Sequence, residues 1–381
     1  MTLTIDAPAS EDELAAHVAS AAQWGRRIEI VGGGTRRALG RPVEADATLS
    51  TERLNAVKLY EPHALTLVAG AGARLADVAA LLAKEGQRLP FEPMDHRPLL
   101  GSTGEPTLGG VVACNVSGPR RIQAGACRDS LIGVRFVDGR GTVVKNGGRV
   151  MKNVTGYDLV KLMAGSFGAL GVITEVAFKL LPIPETSATL VLRGLDDARA
   201  VAALSAALGS PYDVTGAAHV GGETLVRIEG FAASVAYRAE RLRAVLSGFG
   251  AAEIENDAGE RWRAVRDALP FAGRPGVVWR VSVKPSDGPK AVAAIHPQAA
   301  FYDWGGGLVW LLTSEAGDAG AATVRDAIGR LGGHATLVRA SEATRRAVAP
   351  FHPEPAGVEA LTAALRAKFD PAGVLNPGRT G

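Results

Sequence analysis

The sequence has only two cysteines, Cys114 and Cys127. No disulfide framework staples it, no cysteine cluster can hold an iron–sulfur centre, and a reducing compartment suits it. Aromatic residues make up 5% of the chain. There is no basic stripe with interleaved aromatics, the usual mark of nucleic-acid binding. Charge of one sign is also scarce: 42 basic against 39 acidic residues leave a net +3. No run approaches the roughly 18 apolar residues of a membrane span. The acidic start, "MTLTIDAPASEDELAAHV", lacks a basic-then-apolar signal pattern. Together these absences predict a cytoplasmic protein. One more is sharper. No Gly-Lys pair occurs anywhere, so a phosphate-binding loop with its obligatory lysine is excluded.

Glycine is abundant, with 47 residues in 381, against a usual share of about 7%. The excess is not periodic, so it marks tight turns and close backbone approaches rather than collagen. The length predicts two domains. A helix is expected from "SEDELAAHVASAA", with Leu14, Ala15, Val18, Ala21 and Ala22 on one face and Ser10 and Glu13 at capping-box spacing. Strands are expected at "RRIEIVG", "LTLVAG" and "GVITEVAFKLLP", and a hairpin over 131–145 turns at "DGRG". In the third of these strands Val172, Val176, Phe178 and Leu180 share a face opposite Glu175 and Lys179. Pro182 and Pro184 then break the pattern. Beyond them, alanine-rich helices alternate with strands to about residue 345, which predicts an antiparallel sheet covered on one side by helices. An amphipathic helix and a Pro/Gly-rich tail follow. The fold class is α+β, divided as 1–184, 185–349 and 350–381.

Glycine concentrates in three blocks. "VGGGTRR" follows the first strand. It lacks the third glycine of a Rossmann fingerprint, because Arg37 stands there, and no acidic ribose partner follows. What remains is a run of backbone amides, either a plain turn or a nest for an anion such as pyrophosphate. "EPTLGGVVACNVSGPRRIQAGACRD" (105–129) opens a helix with Thr107 as its cap. "NVTGYDLVKLMAGSFGALGVIT" (153–174) runs from a short helix through spaced glycines into a strand. Three such blocks suit a long ligand with a charged centre and a planar end.

The order and spacing of "GGGT", "TLGGVVACN…SGPRR…G…RD", "KNVTGYDLVKLMAGSFGALGVITEV" and a terminal "NPGR" resemble the FAD-binding flavoproteins of the vanillyl-alcohol-oxidase and D-lactate-dehydrogenase type. The fold this implies is a two-subdomain PCMH-type FAD-binding domain with a small cap. "GGRVMKNVTGYDL", "DWGGGLVWL" and "GGHAT" extend the likeness along nearly the whole chain, to the smaller FAD-binding subunits of bacterial glycolate oxidases. The resemblance implies a pyrophosphate loop from Gly32, Gly33, Gly34, Thr35 and Arg36, acting through backbone amides more than side chains. It places Pro90 to Glu92 near the flavin or its ribityl chain. Thr107, Gly109, Gly110 and Asn115 would lie on the ribityl-pyrophosphate side. Gly125, Arg128 and Asp129 would lie in a segment closing over the cofactor, unless Arg128 and Asp129 are only a surface ion pair. Gly171, Val172 and Ile173 would offer backbone contacts, and Asn376 and Arg379 would sit in a tail folded back on the FAD domain.

No His or Cys stands in "GGGTRR", so FAD is expected to be non-covalent. The seven histidines are far apart in sequence, so the local His–x–His metal pair of some hydroxy-acid dehydrogenase relatives is absent and no metal is expected.

Candidates for chemistry are fewer. His334 is either a base at neutral pH or a turn histidine with one backbone bond. Arg280, alternating with apolar residues in "VVWRVSV", either meets a substrate carboxylate inside or lies on an exposed strand face. The tryptophans of "YDWGGGLVW" pack on the flavin, on a partner, or on their own domain.

The implied function is an FAD subunit of a complex that oxidises glycolate. The implied partners are a larger FAD-binding subunit and an iron–sulfur subunit, with any membrane association arising through them. A stand-alone FAD-dependent 2-hydroxy-acid dehydrogenase and a non-catalytic scaffold subunit are the alternatives.

Overall fold

The structure, a computed structural model, describes residues 5–148 and 156–380. The first residues of the "NVTGYDL" stretch lie outside them. The opening helix is Glu11–Trp24. Ser10 caps it by accepting from the Glu13 backbone N–H, and Gly25 ends it at φ 63. The Glu13 carboxylate reaches back one residue further than a capping box requires, to the Ala9 N–H at 2.7 Å. Leu14 and Val18 are fully buried, in one cluster with Ile28, Leu49 and Val172.

Ile5–Asp6, Ala47–Ser50 and Ile28–Val31 form a small parallel sheet in that order. A second, antiparallel sheet runs Val57–Glu61, Thr66–Gly70, Val172–Lys179, Leu131–Val137, Val143–Gly147. The expected hairpin forms one edge of this sheet. Val172–Lys179 lies at its centre, and clusters packed on the sheet cover both faces of that strand. Ile173 and Ala177 are buried as well as Val172, Val176 and Phe178. Alternation along this strand therefore marks only Glu175 and Lys179 as partly exposed, because a sheet packed on both faces loses the solvent face that alternation reports.

Eight antiparallel strands make the third main sheet, in the order Glu253–Glu255, Thr186–Arg193, Glu223–Gly230, Val214–Val220, Ala299–Asp303, Leu308–Thr313, Val277–Ser282, His334–Arg339. Helices Asp197–Leu208 and Ala232–Leu246 cover one end of its outer face, and Gly288–Ile295 and Ala321–Leu331 the other. The inner face joins the core of the glycine-rich half. Val278, Phe301, Leu308, Trp310, Leu312 and Val338 share one cluster with Phe91, Leu131 and Phe178. The sheet is thus helix-covered on one side, as the sequence predicts.

The chain ends by returning. After helix Ala356–Phe369, Ile28 N donates to Val374 O at 2.8 Å and Asn376 N to Ile28 O at 2.9 Å. The tail thereby pairs with the strand that leads into the first glycine block.

Candidate functional site

The three glycine blocks and the tail meet in one cleft of about 720 Å³. Gly32, Gly33, Gly34, Thr35 and Arg36 line it from the first block. Thr107, Gly109 and Gly110 line it from the second, Gly171 and Ile173 from the third, and Asn376 and Arg379 from the tail. Two of the glycines show why the loop is bare. A β-carbon at Gly33 would run into the Glu105 backbone carbonyl. Gly34 has φ 77, a conformation that costs other residues energy. Thr107 caps helix Leu108–Ala113, accepting from Gly110 N at 3.4 Å.

Arg36 sits on the cleft wall and is 8% exposed. It donates to Met94 O at 3.1 Å and to Thr35 Oγ1 at 3.4 Å. Its Nε has no partner, and no carboxylate among the described residues pairs with it. Burial pushes its pKa below the usual arginine value. A buried cation without a counter-charge is costly. On the wall of a cleft lined with glycine backbone, it fits a pyrophosphate group. The sequence suggests mainly backbone contacts here, and the Arg36 side chain is placed on the cleft wall beside them.

The tail residues act differently. Arg379 donates to Arg37 O at 2.7 Å and Leu39 O at 3.0 Å, and pairs with buried Glu29 at 2.9 Å. Its guanidinium is consumed in fixing the first loop. Asn376 accepts from Ile30 N at 2.8 Å and donates to Phe167 O at 2.7 Å, so one side chain ties the first and third blocks together. Asn376→Ala removes both bonds and leaves Ile30 N–H unsatisfied. Each such loss costs about 1–3 kcal/mol. Expected is lower FAD retention on gel filtration and faster amide exchange at Ile30.

The other expected residues lie outside the cleft. Pro90 is buried in the core beside Phe91. Asn115 accepts from Arg128 N at 3.1 Å, joining the second block to the turn that follows. Asp129 caps helix Cys127–Ser130 through Ala126 N at 2.9 Å. The Arg128 and Asp129 side chains are half exposed and 3.9 Å apart, a loose surface pair. Gly125 turns the chain at φ 81. Val172 is fully buried in the core.

Some residues were not legible as site residues. Cys114, Phe167 and Gly168 line the cleft. His96 is buried with an unpartnered Nδ1. Burial, then the charges of Arg36 and Arg280, lower its pKa to about 3. It therefore stays neutral and lies within electrostatic reach of both the cleft and the eight-stranded sheet. Its only signal in the sequence is proximity to "LPFEP".

Arg280 lies on the inner face of Val277–Ser282, its guanidinium 5.0 Å from the Trp304 ring centroid. Burial pushes its pKa down to about 10. His334 opens strand His334–Arg339 opposite Ser282. Burial of the ring, then the charges of Arg280, His352 and Arg121, lower its pKa, so it is held neutral at neutral pH. Neither residue lines the glycine cleft. Trp310 stacks on Phe301 inside the core, and Trp304 donates to Gly118 O at 3.0 Å, so both tryptophans pack within the chain. Among the described residues, no group of three His, Cys, Asp or Glu side chains could hold a metal ion.

A buried ion network joins the two halves. Arg227 forks onto both Glu92 oxygens at 2.9 Å. Arg120 and Arg88 reach Glu229 at 2.9 and 3.1 Å. Asp303, 2% exposed, is left beside this network, and burial chiefly raises its pKa to about 7. Between about pH 4 and 7 the folded chain holds a proton that the unfolded chain has released, so this group's share of stability falls as pH rises through that window. Asp303→Asn should flatten that slope by about 1 kcal/mol per pH unit, read from urea midpoints at pH 5, 6 and 7. An equal slope in both proteins would exclude Asp303 as the titrating group.

Residues 3–147 match the family model described as an FAD binding domain. The chain is 36% identical over 353 residues to the glycolate oxidase subunit GlcE of Escherichia coli (strain K12), covering 92% of each. It is 32% identical over 188 residues to the glycolate oxidase subunit GlcD of Bacillus subtilis (strain 168), covering 49% of this chain and 38% of that one. Among solved structures, an alkyldihydroxyacetonephosphate synthase shares the fold, with a TM-score of 0.71 over 98% of this chain and 75% of that chain at 18% identity. Fold, cleft and family match define an FAD-binding flavoprotein. Within that class, the chain belongs to the family of the glycolate oxidase subunit GlcE.

Proposed function

We propose that the chain is the smaller FAD-binding subunit of a glycolate oxidase complex and takes part in oxidising glycolate to glyoxylate. The observation that carries this reading is the likeness to GlcE across 92% of both chains. The cleft supports its cofactor half. Gly32–Arg36, Thr107, Gly109 and Gly110 would hold the pyrophosphate and ribityl chain, and Gly171 and Ile173 would line the remainder. Bound non-covalently, FAD supplies a two-electron acceptor. The chain's own residues would bind and orient it. On this reading 1–184 is the FAD-binding domain, 185–349 the cap and 350–381 the closing segment.

Its partners would be a larger FAD-binding subunit and an iron–sulfur subunit. No helix among the described residues is long and apolar enough to cross a membrane, so membrane association would come through those partners. A second reading, a self-sufficient 2-hydroxy-acid dehydrogenase, draws support from Arg280 and neutral His334 on the inner face of the sheet.

The test is the visible spectrum of the chain purified alone, before and after anaerobic glycolate. A flavin band that survives supports a subunit needing its partners. A band that bleaches supports the second reading. Folded protein that neither carries nor takes up FAD would leave only a scaffold.

A further inference from the structure

The cations between the sheet and the glycine-rich half fall into two sets. Arg88, Arg120 and Arg227 are answered by Glu92 and Glu229. Arg121 and Arg280 are not. Among the described residues, neither guanidinium donates a hydrogen bond or makes an ion pair. Both lie over one ring instead, with Arg121 at 4.3 Å and Arg280 at 5.0 Å from the Trp304 centroid. Arg121 comes from the short helix Arg121–Ala124 of the glycine-rich half and Arg280 from Val277–Ser282, the strand next to the His334–Arg339 edge of the eight-stranded sheet.

The ring that both approach is fixed at two points. Trp304 Nε1 donates to Gly118 O at 3.0 Å, and its backbone N–H donates to Asp303 at 2.7 Å. Its backbone is held at φ 52, an uncommon region for a bulky residue. Asp303 is the one carboxyl within electrostatic reach of Arg280. Its own pKa is raised to about 7, chiefly by burial, so near neutral pH it carries only part of a charge and is a weak counter-ion. Arg121 has only Asp129 in reach, a half-exposed residue offset by Arg128. Two guanidinium groups on one rigid platform, with no carboxylate in contact with either, are expensive to maintain. They are also suited to planar, two-oxygen recognition.

We propose that Arg121 and Arg280, held on Trp304, bind the carboxylate of a small 2-hydroxy acid, so that this chain contacts substrate rather than only passing electrons. The assignment rests on the glycolate oxidase reading above and deepens it. Trp304 is only 9% exposed, so the site admits a small anion and no polymer. Neutral His334 lies on the same sheet face, across from Ser282, where it can accept a hydrogen bond from a hydroxyl placed beside that carboxylate. Arg121 is a binding residue that sequence reading had no means to single out, because its partners are a tryptophan and an arginine far along the chain.

The experiment is calorimetric titration of the FAD-loaded full chain with oxalate, a non-oxidisable small carboxylate, and separately with inorganic phosphate. Saturable oxalate binding is expected, weakened at least about tenfold by Arg121→Met and by Arg280→Met. Arg280→Lys, which keeps the charge, should recover part of the loss and guards against a methionine variant that fails to fold. Wild-type chain that takes up no oxalate overturns the proposal, as do folded methionine variants that bind it as tightly. Phosphate binding as tight as oxalate overturns the carboxylate assignment. The flavin band reports the cofactor reading separately. FAD-loaded chain that ignores oxalate defeats this inference alone. Chain that takes up no FAD yet binds oxalate defeats the cofactor reading and leaves the anion site standing.

Discussion

Arg227→Met should destabilise the chain by about 3–5 kcal/mol, among the largest effects expected of a single substitution. Arg227 is 4% exposed. Both terminal nitrogens hold Glu92, its Nε donates to Thr215 Oγ1 at 3.2 Å, and Nη2 also donates to Thr215 O at 3.0 Å. Its guanidinium further lies 4.5 Å from the Trp262 ring centroid. Methionine fills much of the volume but leaves the Glu92 carboxylate buried with no guanidinium in hydrogen-bond contact, the nearest being Arg120 at 3.9 Å. Glu92 is held below its ordinary pKa by Arg227 and Arg120, against burial. Without Arg227 it should protonate, so the loss should be greatest at high pH and shrink toward pH 4. Urea unfolding across that range is the check. The pair Glu92→Gln, Arg227→Met should recover much of the loss, since no lone charge is left. A double variant as unstable as Arg227→Met alone would falsify the pairing as the cause.

Arg36→Met should act with opposite signs on the empty and loaded protein. In the empty chain it removes a buried charge that no carboxylate contacts and should leave stability unchanged or raised. In the loaded chain it removes charge-assisted contacts worth about 1.5–3 kcal/mol. FAD affinity should therefore fall by about 10- to 100-fold. Equilibrium dialysis against FAD and thermal melts of the empty chain give the two readings. A variant that binds FAD as well as the unaltered chain would place the pyrophosphate away from Arg36. One that loses FAD and stability together would make Arg36 a structural residue.

Much of this protein is decided by its sequence alone. Ser10 and Thr107 are written as caps and form caps. The three glycine blocks are legible because a loop that bares its amides to a ligand cannot carry side chains there. The Leu131–Gly147 hairpin announces itself through its turn. These are local properties, set by backbone sterics within a few residues. The tertiary structure decided what long side chains do. Asn376 and Arg379 line the cleft but spend their polar groups on Ile30, Phe167, Glu29 and the first loop. Arg36 and Arg379 are both buried arginines beside one cleft, yet only Arg379 has a carboxylate. Arg121, Trp304 and Arg280 come together only because the eight-stranded sheet lays its inner face on the glycine-rich half. A guanidinium reaches several ångströms from its backbone, and whether it meets a carboxylate, a ring or nothing depends on elements far away in the chain. No periodicity or spacing records that.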